Sequence, residues 1–191
     1  LPQEPRELDE AYDNRLLRST LAPFYGRIER MLAGMLTRKP VRLEDVSDVV
    51  REHLFDVDLQ GNDLNVWTYE VARKCVRYGH VGVLVDAPAA GQNGRPYWVS
   101  YTPRDILGWR SEIADGKQML TQLRLKEELT VPDGLYGEKR VEQVRVLTPG
   151  AFELHQKNDK GDYEIVDEGR TSLSQIPFAV AYSNRVAVLE S

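Results

Sequence analysis

The chain has 191 residues, with 30 acidic and 25 basic side chains and a net charge of −5. That length suits one domain that buries roughly two thirds of its unfolded surface, so no disulfide or metal is needed to hold a core. The acidic balance argues against a dedicated nucleic-acid-binding domain, the single cysteine excludes an internal disulfide and a thiolate metal cluster and fits a reducing cytoplasm, and no run of about 18 apolar residues offers a membrane span.

Two prolines before Arg6 predict an extended lead-in. From Glu7 the pattern turns helical. Leu8, Tyr12 and Leu16 repeat every fourth residue, and Leu17, Leu21, Phe24, Ile28, Met31 and Met35 continue as an amphipathic stripe. Pro23 predicts a break near Ser19 and Thr20. Arg15, Arg18, Arg27, Arg30, Arg38 and Lys39 fall off the stripe and read as a solvated face interleaved with Glu7, Asp9, Glu10 and Glu29. Lys39-Pro40 ends the helix. A short helix is expected around Glu44 to His53, with His53 at the surface.

Asp56, Asp58, Gln60, Gly61 and Asn62 resemble the start of a calcium loop, but Trp67 stands where the closing bidentate Glu belongs. The spacing predicts instead a polar turn, with Asn62 or Asp63 capping the next helix. That helix spans about Leu64 to Tyr78, with Leu64, Trp67, Val71 and Cys75 on one face and Gly79 as its stop. Cys75 reads as a small core residue.

Val81 to Val85 is an unbroken apolar strand, which implies burial on both faces. The loop from Ala89 to Arg95 joins it to the next strand as a hairpin. Tyr97 to Trp109 carries two of the three tryptophans around a Thr102–Asp105 turn, and reads as a hinge packed by helices on one side and strands on the other. Turn signals at Asp115-Gly116, Pro132-Asp133-Gly134, Pro149-Gly150 and Asn158 to Gly161 then punctuate short alternating segments. About six strands follow in an antiparallel meander. The fold class is α+β, with N-terminal helices on a mainly antiparallel, meander-like sheet. The expected parts are a helical one over 1–79 and a strand-rich one over 80–191 of the same domain. Leu1 in place of Met, and the closing apolar run Val186 to Leu189, read as a fragment of a longer polypeptide.

No catalytic constellation is legible. His53, His80 and His155 lie far apart and none has a second ligand at metal-binding spacing. Glu127 and Glu128 are adjacent on a strand and point to opposite faces, so they do not share a proton. Arg104, Trp109 and Arg110 suggest a single-strand platform, but a core hairpin explains the aromatics more simply. The chain therefore reads as no enzyme, with no catalytic, cofactor-binding or metal residue assigned.

Several segments, taken in order, resemble prophage and bacteriophage proteins related to tailed-phage portal proteins. They are Gly34-Met35 with Arg38-Lys39-Pro40; Tyr78 to Pro88; Arg95-Pro96-Tyr97 leading to Tyr101, Pro103 and Asp105 to Arg110; Val141 to Leu147; and Ile176-Pro177. The resemblance implies a wing-like part of a portal subunit, a structural protein that assembles into a ring, typically a dodecamer. Its implied partners are terminase, capsid and head–tail connector proteins, with double-stranded DNA passing through the channel without sequence-specific reading. It implies a place at the capsid portal vertex of the virion, and in the bacterial host cytoplasm during assembly. No functional residue transfers, because the matching segments look structural. The alternatives are a phage-encoded adaptor or binding module without a channel, and, more weakly, a metal-dependent nuclease.

Overall fold

Helices come first and strands after, as the pattern predicts. The computed structural model describes residues 2–20, 22–88, 94–114, 116–158 and 160–184. Its elements are α1 (Asp9–Arg18), α2 (Phe24–Leu36), α3 (Asp48–His53), α4 (Leu64–Tyr78), β1 (His80–Asp86), β2 (Tyr97–Tyr101), β3 (Ile106–Ala114), β4 (Lys117–Asp133), β5 (Gly137–Thr148), β6 (Ala151–Lys157), β7 (Tyr163–Arg170) and β8 (Phe178–Tyr182). The fold is α+β. Local signals set most boundaries. Pro23 opens α2 after the predicted break, and Asp63 caps α4 by accepting from the Asn65 and Val66 amides at 2.9 Å. Gly79 ends α4 at φ 87°.

The strands form two antiparallel sheets, not one meander. The smaller has the order β2-β1-β8, and the larger β3-β4-β5-β6-β7. The expected meander holds over β3 to β7. β8 leaves it and returns to pair with β1. Strand alternation carries no information about the pairing partner, so nothing local marked this return.

The layers follow from β1. Val81 and Val83 face α4, where they meet Val71, Cys75, Trp67 and Ala181. Leu84 faces the larger sheet, in a core with Tyr101, Leu123, Leu125 and Ile176. Burial on both faces thus holds for this strand up to Leu84, although Val85 is exposed. Gly82 permits the sheet packing rather than a turn, because a Cβ there would meet the Phe178 ring of β8.

Tyr97 to Trp109 does join the two sheets: β2 belongs to the smaller and β3 to the larger. Trp98 turns toward the helices, edge-on to Trp67 with ring centroids 4.9 Å apart. Trp109 packs in the core between the sheets. Asp105 fixes the turn by accepting from the Thr102 hydroxyl at 2.6 Å.

A bulge corrects the strict alternation expected of β4, which sets Met119, Thr121, Leu123 and Leu125 on one face and Leu120 with Gln118, Gln122, Arg124 and Lys126 on the other. Ser111 pairs with Leu120 and Arg110 with Gln122, which skips Thr121. The extra residue reverses the alternation, so Leu120 joins Leu123 and Leu125 at the core. β4 also runs through Pro132 to Asp133, into the predicted turn, which falls instead at Gly134 to Tyr136. Gly116 lies in the predicted β3–β4 turn, while Asp115, Asp159, residues 89–93 of the first hairpin loop and the run Val186 to Leu189 lie outside the described residues.

Candidate assembly surface

The predicted stripe on α2 exists, but it faces solvent. Phe24, Ile28, Met31 and Met35 are between 52% and 67% exposed. Leu21, which would extend the stripe, lies outside the described residues. The buried face of α2 holds Glu29, 2% exposed, and Ala33. Glu29 is therefore no part of a solvated face. Its Oε1 accepts from Arg73 Nε at 3.0 Å, and its Oε2 from Arg77 Nε at 2.8 Å, both from α4. Ala33 keeps the helix axes close, and the Tyr25 hydroxyl donates to the Arg77 carbonyl at 3.2 Å.

A carboxylate in this position must be paired, since burying it alone costs several kcal/mol. Burial pushes the Glu29 pKa up, but the hydrogen bonds from Arg73 and Arg77 outweigh it and the net shift is downward. The charged contact therefore fixes which side of α2 meets the body. The apolar stripe is left on the opposite side by helical geometry.

The apolar surface continues past α2. An open cleft of about 500 Å³ lies between its C-terminal end and α4, lined by residues that include Leu36, Val41, Val66 and Tyr69. A second of about 280 Å³ is lined by residues that include Leu43, Leu54, Phe55 and Leu64. α1 buries none of its residues, and leaves Leu17 exposed. It is tied to its own lead-in by Arg15 and Glu7 at 2.6 Å. A helix this short is marginal without packing partners.

Exposed apolar residues also mark the larger sheet. β7 is one of its two edge strands, and Tyr163, Ile165 and Val166 are exposed on it. β4 and β5 run on together beyond their other partners as a two-stranded ribbon, with Leu135 and Tyr136 bare at the tip.

A second cluster lies between the sheets, and the sequence pattern missed it. Arg145 of β5 donates to Asp86 Oδ2 of β1 at 2.7 Å. Its Nε lies 2.9 Å from Glu127 Oε1 of β4, at ion-pair distance but without hydrogen-bond alignment. The Tyr101 hydroxyl donates to Glu127 at 2.7 Å, and Gln143 Nε2 does so at 2.7 Å. Tyr97 reaches Asp86 at 3.2 Å. Burial raises the Tyr101 pKa strongly, and the Glu127 charge raises it further. For Arg145, burial lowers the pKa, yet Glu127 and Asp86 more than compensate and the net shift is upward. Each carboxylate thus meets a fixed cation, so the cluster works as a latch between sheets rather than as an acid/base pair. Glu127 and Asp86 therefore sit partly buried between the sheets rather than on a wet face. Glu128, as predicted, points the other way and is exposed.

The remaining candidates fall into structural places. His53 is half-buried, not at the surface, with its Nδ1 2.8 Å from Arg95 Nη1. Burial, then the Arg95 charge, lowers its pKa. His80 packs near the Tyr182 ring, and His155 contacts Glu153. Cys75 is buried and its thiol pKa is raised by that burial, which suits a core residue. In the calcium-like loop, Asp58 accepts from the Gln60 and Asn62 amides and Asp56 from Gly61, so the carboxylates serve the turn itself. Arg104 stacks over Tyr78 and Trp109 is in the core, so the two form no stacking platform. Among the described residues no group of three or more His, Cys, Asp or Glu is placed to hold a metal ion, and no helix is long and apolar enough to cross a membrane.

No protein-family model and no curated protein matches the chain. The surface that stands out is therefore read from its own chemistry. Its signal was present in the sequence as the four-three-four spacing of the stripe. What the spacing lacked was the direction in which the stripe points.

Proposed function

We propose that the chain is part of a structural subunit of a bacteriophage or prophage portal-like ring, which forms the DNA channel at a capsid vertex and serves genome packaging, ejection and head–tail connection. The observation that carries the reading is the α2 stripe turned to solvent beside a charged inner face. A contiguous apolar surface of this kind marks a contact with another protein. The resemblance of the segments from Gly34 to Pro177 supplies the kind of assembly. Its partners are further copies of the subunit, a dodecamer by resemblance, with terminase, capsid and head–tail connector proteins. Its place is the portal vertex of the virion, and the host cytoplasm during assembly. The net charge of −5 suits a ring through which DNA slides, because fixed cations would hold phosphate and slow its passage.

The test is light scattering with negative-stain imaging of the full-length polypeptide that carries this chain. The expected result is a ring with a hole wide enough for a duplex, about 20 Å. A monomer or dimer without a channel would sink the reading. The exposed stripe equally fits a phage-encoded adaptor that covers it with a different protein, and the absence of a ring would move the weight there.

A further inference from the structure

We infer, on the assembly reading above, that the outward stripe of α2 docks on the outer strand β7 of a second copy of this chain, so that copies join head to tail. The charges of the two surfaces select this pairing. On α2 the exposed charged residues are Arg27 and Arg30, because Glu29 is turned inward to Arg73 and Arg77. Arg38 and Lys39 follow at the helix end and are also exposed. None of these four cations takes part in an ion pair among the described residues. Two stripes set face to face would bring like charges together and leave them unanswered.

β7 offers the complement. Ile165 and Val166 are exposed between Glu164 and the pair Asp167 and Glu168, all three acids are exposed, and Tyr163 at the strand's start carries Lys157 over its ring. Asp167 and Glu168 take part in no ion pair among the described residues. One copy does not cover its own stripe: α2 packs on α4, and β7 is the strand of the larger sheet furthest from β3. A basic apolar patch and an acidic apolar patch at different places on one subunit form a heterologous interface, which closes into a ring when its rotation closes. Matched charge sets register and excludes the self-paired alternative.

The experiment is sedimentation velocity of the 191-residue chain across a concentration series, at low and at high salt. The variants are Ile28→Asp, Arg27→Glu with Arg30→Glu, Asp167→Lys with Glu168→Lys, and the fourfold combination. All substituted residues are exposed, and matching thermal melts check that each variant folds. Wild type is expected to associate weakly and beyond a dimer, less so at high salt. Ile28→Asp and each charge-reversed pair should weaken association by about tenfold or more. The fourfold variant should recover it, and so should an equimolar mixture of the two charge-reversed chains. Loss of association in Ile28→Asp with none in Asp167→Lys/Glu168→Lys would overturn the docking in favour of α2 pairing with itself. A wild-type chain that stays monomeric throughout would overturn it too. The same substitutions in the full-length polypeptide separate the two proposals. A ring indifferent to them ends the α2–β7 docking and leaves the portal reading standing. Open filaments that respond to them end the portal reading and leave the docking standing.

Discussion

α2 and α4 are both amphipathic helices, they touch each other, and they face opposite ways. α4 turns Val71 and Cys75 inward onto Val81. α2 turns Glu29 inward and leaves Ile28 and Met31 bare. The difference lies in what each helix meets. α4 lies on an apolar sheet face, where its own apolar face is buried with hydrophobic gain. α2 lies on the outer, charged side of α4, where Arg73 and Arg77 require an anion. A carboxylate on α2 meets that need, and the apolar stripe is carried outward as a result. A helix's periodicity shows that it has an apolar face, and its neighbour decides whether that face is interior or interface.

This contrast between an interior held together and a surface left open can be tested by substitution. The largest expected effect is at the latch between the sheets. Arg145→Ala strands Asp86 and Glu127 in partly buried positions and should cost about 3–5 kcal/mol, read from urea denaturation. Arg145→Met should cost less only if both carboxylates are neutralised with it, as in Arg145→Met with Asp86→Asn and Glu127→Gln. Equal losses in the single and triple variants would mean that the latch is no coupled unit.

Next comes the apolar core. Leu123 is fully buried, and Leu123→Ala should cost about 2–5 kcal/mol. Ile28→Ala, the same kind of deletion on the stripe, should stay within about 0.5 kcal/mol in the isolated chain. If the two substitutions cost the same, the stripe is an interior face and the contrast collapses.

A smaller effect is expected at Gly82. A Cβ there meets the Phe178 ring, so Gly82→Ala should cost about 1–3 kcal/mol as the β8 return repacks. Gly82→Ala combined with Phe178→Leu should recover part of the loss, and no recovery would assign the cost to the backbone instead.

The smallest effect is a pH dependence at Glu29. Its pKa is lowered in the folded state, so its contribution is complete above the ordinary carboxylate pKa of about 4.3 and fades as pH falls through the lower folded value. Thermal melts of wild type and Glu29→Gln should therefore differ near neutral pH and converge in acid. A gap that stays constant down to the acid limit would mean that Glu29 is not held as a paired anion.

Much of the fold was legible locally. Pro23, Asp63 and Gly79 mark helix boundaries because each acts on its own backbone within one turn. The Tyr97 to Trp109 hinge was legible because an apolar density too high for a loop straddles a turn. The β4 face was misread because Thr121 is a bulge, and a bulge exists only relative to a partner strand. The latch was missed because Asp86, Glu127 and Arg145 sit on three different strands, each in an unremarkable polar position. The stripe was found as a pattern, and the charged side read as solvated holds the buried Glu29.

By itself, then, the amino-acid sequence determined the element types, the α+β order, the helix caps and the two-sided burial of β1 as far as Leu84. These follow from hydrophobic period, backbone freedom and capping, all of which act within a few residues. Tertiary structure alone decided that β8 returns to β1, that Arg145 binds two strands of opposite sheets, and that α2 shows its apolar side to the outside. Each of these depends on which residues meet across tens of positions in the chain. That choice is made by summed burial and by pairing of buried charge, neither of which any single segment contains.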